Sequence, residues 1–127
     1  MPENSRPIST LLVSRPGIMQ QSLRSALAAC PQIAVVATAG DGLSAVQQIA
    51  PRQPRLLVID SNLLDEEIAA LLSAAKTQHP PVHCLVFVKS THEERHLLAA
   101  GADACAHREW STQEFHAALN QVAQSLG

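Results

Sequence analysis

The chain has 127 residues, 46% of them hydrophobic, which is enough for one sizeable buried core and leaves no material for a second domain. Its 9 Lys and Arg against 11 Asp and Glu give a formal charge of −2, the basic residues are scattered, and aromatic residues make up only 2%, so this chain by itself offers nucleic acid neither a phosphate footprint nor a stacking platform. It contains neither the apolar core of a signal peptide nor a span long enough for a membrane helix, so the expected compartment is the cytoplasm.

Residues 1–7 are polar, carry Pro2 and Pro7, and read as a flexible tail, with residues 8–127 forming one domain. Ile8 to Val13 is the first apolar run of strand length. Met19, Leu23, Ala26, Leu27 and Cys30 then recur on one face of a helix that stops at Pro31. A second run, Ile33 to Ala39, leads through Gly40-Asp41-Gly42 into a helix expected from Leu43 to Ala50, ended by Pro51. The third run, Leu56-Leu57-Val58-Ile59, closes on the carboxylate of Asp60. Ile68, Leu71, Leu72 and Ala75 mark a third helix before Pro80. The run His83 to Val88 follows, then a helix opened by Thr91 with Glu94 and stopped at Gly101. Ala104 to His107 is the last strand. Ser111 with Glu114 opens a final helix carrying Phe115, Leu119, Val122, Ala123 and Leu126.

Strict alternation of strand and helix implies parallel strands joined by right-handed crossovers, with helices on both faces of the sheet. The expected fold is therefore α/β, a doubly wound five-stranded parallel sheet in the flavodoxin-like order 2-1-3-4-5, with its crevice between the first and third strands. Ser14 and Arg15, just after the first strand, are expected to border Asp60, with Arg15 close enough to pair with it. Cys30, Cys84 and Cys105 are odd in number, lack CxxC spacing and fall in apolar stretches, which reads as buried reduced thiols.

Two motifs suggest other chemistry. Gly40-Asp41-Gly42-Leu43-Ser44-Ala45 fits G-x-G-x-x-A with an acid, Asp60, further along, a dinucleotide fingerprint on paper. Its strand, however, falls at the sheet edge in the order above, and the ordinary reading is a tight glycine loop. His92-Glu93-Glu94-Arg95-His96 fits H-E-x-x-H, but it lies in the first turn of its helix with no third ligand at a suitable spacing. A solvated polar face is the expectation, and no metal centre is assigned.

The chain resembles the receiver domain of two-component response regulators over about residues 8–126. Leu56-Leu57-Val58-Ile59-Asp60 is similar to the phosphoacceptor strand, Ala39-Gly40-Asp41-Gly42 to the second loop, and Gly101-Ala102-Asp103-Ala104 to the turn before the last strand. The spacing is most similar to receivers of regulators with a helix-turn-helix output domain. The resemblance implies a phosphoacceptor role for Asp60, with a backbone carbonyl at Asn62 serving the metal. The two acidic residues that help hold Mg²⁺ in the family are replaced by Ser14 and Arg15, the phosphoryl-binding Ser or Thr by Val88, the switch aromatic by Cys105, and the loop Lys by Arg108. The pocket thus reads as degenerate, with no cofactor or only weak Mg²⁺ binding and no enzymatic activity. The expected role is a protein-interaction module in bacterial signal transduction. The alternatives left open are a working phosphoacceptor served by a histidine kinase and, more distantly, a small dinucleotide-binding or zinc enzyme. The resemblance also implies a homodimer or partner contact through residues 92–127, where Trp110 either anchors the interface or packs over its loop.

Overall fold

The computed structural model describes residues 6–126; within the expected tail, residues 1–5 lie outside them. The strands are β1 (Ile8–Val13), β2 (Ile33–Ala39), β3 (Leu56–Asp60), β4 (His83–Val88) and β5 (Ala104–His107). They alternate with helices α1 (Ile18–Ala28), α2 (Gly42–Arg52), α3 (Asp65–Lys76), α4 (Thr91–Ala99) and α5 (Thr112–Leu126). All strand pairs are parallel, in the order β2-β1-β3-β4-β5. Every strand has the bounds of its apolar run, because a parallel strand covered on both faces needs an almost continuous hydrophobic stretch.

Side-chain alternation divides each strand between two cores. Leu11 and Val13 of β1, Leu57 and Ile59 of β3, and Cys84, Val86 and Val88 of β4 face one layer, with Ile49 of α2, Leu71 and Leu72 of α3 and Leu97 of α4. Leu12, Leu56, Val58 and Leu85 face the other, where Leu23 and Leu27 of α1 meet Phe115 and Leu119 of α5. Each fully buried Leu, Ile or Val contributes about 1.5–3 kcal/mol. Phe87 and Phe115 meet edge to face at 5.6 Å on this second side.

Two helix signals fall differently from expectation. Pro51 lies inside α2, not beyond it. In the last turn its missing N–H costs one hydrogen bond, and the helix closes two residues later where Gln53, at φ 47°, donates its N–H to the Ile49 carbonyl at 2.9 Å. The cap of α4 is Ser90 with Glu93, one residue before Thr91 and Glu94: Ser90 Oγ accepts the Glu93 N–H at 3.1 Å. Adjacent hydroxyls and adjacent glutamates made both registers chemically acceptable. At α5 the reciprocal cap of Ser111 and Glu114 is complete, at 2.9 and 3.1 Å. All three cysteines are free of disulfides, and Cys30 and Cys84 are buried as expected; Cys105 is not, being only half-buried because β5 lies at the sheet edge.

Candidate functional site: the crevice at Asp60

Asp60 ends β3 at the carboxyl edge of the sheet, where its side chain keeps only 2% of its accessible surface. Its Oδ1 accepts from Arg108 Nη2 at 2.7 Å and from the Asn62 backbone N–H at 3.2 Å, while Oδ2 accepts from Ser14 Oγ at 3.3 Å. Each partner arrives from a different loop: Ser14 follows β1, Asn62 follows β3, and Arg108 follows β5. Arg108 is fixed in turn by its own N–H on the Val88 carbonyl at 2.9 Å. Val88 is fully buried in the core. The Nε of Arg108 is buried without a partner, so the guanidinium is oriented by Asp60 alone among side chains of the described residues. Asn62 is exposed, with its N–H turned to Asp60.

Arg15 does not make the contact expected of it. Its Nη2 donates to Glu67 Oε2 at 2.7 Å, and Arg108 takes the place beside Asp60. Glu67 gathers three loops at one carboxylate, accepting also from the backbone N–H groups of Gly42 at 3.1 Å and Leu64 at 3.0 Å. The bond from Gly42 N–H, with those from Leu64 and Arg15, holds the Glu67 carboxyl below its usual range against the opposing effect of burial. The close approach requires glycine: a Cβ on Gly42 would lie 2.5 Å from the Glu67 Cβ. Glu67 was not singled out as a site residue from sequence. Its signal was its place three residues after the α3 cap, in the acidic run Asp65-Glu66-Glu67.

The same contacts bear on the other motifs. In the glycine loop, the Asp41 side chain caps α2 by accepting from Ser44 N–H at 2.7 Å, and the Gly42 amide is occupied by Glu67. An amide already facing a carboxylate is a poor cradle for a phosphate. In the H-E-x-x-H segment, His92 and His96 are exposed, whereas Glu93 and Glu94 turn inward to Ser61 and His107. Among the described residues no group of three His, Cys, Asp or Glu side chains is arranged to hold a metal ion, and no helix is long and apolar enough to cross a membrane.

No family profile matches the chain. Its fold is nevertheless that of a receiver domain of two-component response regulators. The response regulator domain of CheB from Thermotoga maritima superposes with a TM-score of 0.72 at 19% identity, over 95% of this chain and 96% of that one. The signal receiver domain of an HD domain-containing protein from Pseudomonas fluorescens Pf-5 gives 0.76 at 22% identity, over 95% and 98%. A DNA-binding response regulator of the LuxR family from Staphylococcus aureus gives 0.77 at 16%, over 91% and 98%. In sequence, the chain is similar to protein-glutamate methylesterase/protein-glutamine glutaminase 5 of Anaeromyxobacter dehalogenans strain 2CP-C, 27% identical over 77 residues. That match covers 61% of this chain but only 21% of the relative, about a fifth of its length.

Proposed function

We propose that the chain is a non-enzymatic receiver module of bacterial two-component signalling that acts in the cytoplasm by docking to other proteins, with its phosphorylation pocket held in one state by a resident cation. The observation that supports this most directly is the buried ion pair of Asp60 with Arg108 at 2.7 Å. A phosphoryl group or Mg²⁺ entering the crevice meets a guanidinium already seated on Oδ1 of the carboxylate it needs. Mg²⁺ demands hard oxygen ligands and is discouraged by nearby positive charge. Where the family resemblance calls for two more acids, the chain offers the Ser14 hydroxyl and Arg15, and Arg15 is itself neutralised by Glu67. Output then passes to a signalling partner or a second copy through the face made by α4, β5 and α5.

Asp60 itself is retained, with the Asn62 N–H already on it. This keeps a second reading, phosphoacceptance from a histidine kinase, within reach of the same experiment. Titration with Mg²⁺ and beryllofluoride, followed by amide NMR at Asp60 to Asn62, together with acetyl phosphate labelling read by mass spectrometry, is expected to show neither saturable shifts nor an adduct. Mg²⁺ binding as tight as that of a three-acid receiver, or stoichiometric labelling at Asp60, would establish the phosphoacceptor reading instead. The combined variant Ser14→Asp, Arg15→Asp, Arg108→Lys is expected to recover part of the Mg²⁺ response.

A further inference from the structure

The crevice makes no use of the two histidines of the H-E-x-x-H segment. His92 and His96 are four residues apart in α4, so their side chains stand about 40° apart around the helix axis, with Cβ atoms about 5–6 Å from each other. Both face solvent. The glutamates between them do not. At about 100° and 200° around the axis from His92, Glu93 is held by the Ser61 hydroxyl and the Lys89 N–H, each at 2.8 Å, and Glu94 lies 2.9 Å from His107 Nε2. No glutamate therefore stands beside the imidazoles to act as a base on a metal-bound water, and hydrolytic chemistry does not follow from the motif. What α4 presents outward is a two-imidazole chelate.

We infer that His92 and His96 are half of a zinc-type metal site completed by the same two residues of a second copy, so that one divalent ion joins two chains through the outer face of α4. The donor count requires the second copy. Zn²⁺ in structural sites takes four ligands in a tetrahedron, and among the described residues no third His, Cys, Asp or Glu side chain joins the pair. An isologous contact about a twofold axis brings an identical pair to the same point. The thiols do not compete for the ion: Cys30 and Cys84 are buried, and burial, then the charges of Glu94 and Glu93, push Cys105 up to about 11, which leaves it without the thiolate that a metal needs. Ala99, seven residues after His92 and also exposed, continues the same stripe with a side chain small enough for two helices to approach. Arg95 makes that approach depend on the ion, because it is exposed beside the pair and two copies bring like charges together. The positive end of the helix dipole opposes a cation in this first turn, and Glu93 and Glu94 offset it. Imidazole ligands suit Zn²⁺, whereas Mg²⁺ takes oxygen ligands, so the site differs from the Asp60 crevice in the ion it selects.

The test is sedimentation velocity of the intact chain, stripped by a chelator and then given half an equivalent of Zn²⁺. Zinc is expected to double the sedimenting mass, with one ion bound per two chains by calorimetry, and renewed chelation to reverse the change. Mg²⁺ is expected to leave the mass as it was. His92→Gln and His96→Gln should each weaken zinc binding about a hundredfold and abolish the doubling, since the second imidazole on one helix binds as an intramolecular ligand. His79→Gln, which removes an exposed histidine outside α4, should change neither. Zinc bound one per chain with no change in mass is an adventitious ion only and overturns the site. Absence of zinc binding overturns it too, as does doubling that Mg²⁺ also produces or that persists when His92 and His96 are both replaced. The assay contains no phosphate, so its failure leaves the receiver reading standing, and stoichiometric acetyl phosphate labelling of Asp60 leaves the metal site standing.

Discussion

Replacing Arg108 by Ala should be the most damaging single change in the crevice, and far more damaging than neutralising its partner. The Asp60 side chain retains 2% exposure and the Arg108 side chain 26%. Removing one partner of a buried ion pair typically costs about 3–5 kcal/mol, because the other charge is left unpaired in a medium that solvates it poorly. Two weaker donors remain, Asn62 N–H at 3.2 Å and Ser14 Oγ at 3.3 Å, and the guanidinium was partly hydrated already. Both corrections place Arg108→Ala at the lower end of that range, about 3 kcal/mol, or roughly 10 °C in Tm for a domain of this size. Asp60→Asn leaves a cation that can turn to water and an amide whose oxygen, in the place of Oδ1, still accepts the Asn62 N–H while its NH2, in the place of Oδ2, can donate to the Ser14 hydroxyl, so its cost should be about 1 kcal/mol or less. The double variant should then be more stable than Arg108→Ala alone. Equilibrium urea unfolding at pH 7, followed by far-UV circular dichroism, supplies all the terms of the cycle. A loss below about 1 kcal/mol for Arg108→Ala, or equal losses for the two single variants, would show that Asp60 does not depend on Arg108 for its charge.

Arg15→Ala provides the contrast: at 41% side-chain exposure its pair with Glu67 is largely in water, and the same unfolding assay should give a loss under about 1 kcal/mol. Glu67 should carry a measurable pH dependence. Its folded pKa is depressed, so its contribution is fully present above the unfolded value of roughly 4.3 and disappears as pH falls through the folded value. The difference in Tm between the native protein and Glu67→Gln, measured from pH 7 down to pH 3, should therefore narrow with acidification; a constant difference would show that charge plays no part in the clasp. Burial raises the Cys84 thiol to about 12, so a maleimide at pH 8 should leave it unmodified in the folded protein and label it fully in denaturant. Labelling of Cys84 at the same rate in both states would contradict its position between β4 and the helical layer.

The strand bounds, the order of the sheet and the buried faces of the helices were legible in the linear pattern. Leu56 to Ile59 has no polar residue to spare because β3 is covered on both faces, and Phe115, Leu119, Val122 and Ala123 repeat at helical spacing because one face of α5 lies on the sheet. The position of Asp60 at the carboxyl edge followed from the same pattern. Which cation reaches it did not. Arg15 and Arg108 both follow strands that open onto the crevice, and nothing in their local sequence ranks one above the other. The choice is made by a third loop: Gly42 lets α2 approach α3 closely, that approach seats Glu67 between them, and Glu67 draws Arg15 away from Asp60. The two glutamates of α4 show the same limit. Local sequence placed them at a helix start, but adjacent side chains on a helix diverge by about 100°. Only the packing of β3, β4 and β5 brings Ser61 to one and His107 to the other. Periodicity reports what a segment buries, whereas the polar contacts of the crevice, Arg15 with Glu67, Ser61 with Glu93 and Arg108 with Asp60, join side chains 32 to 52 residues apart in the chain, so they emerge only when the loops are brought to one edge of the sheet.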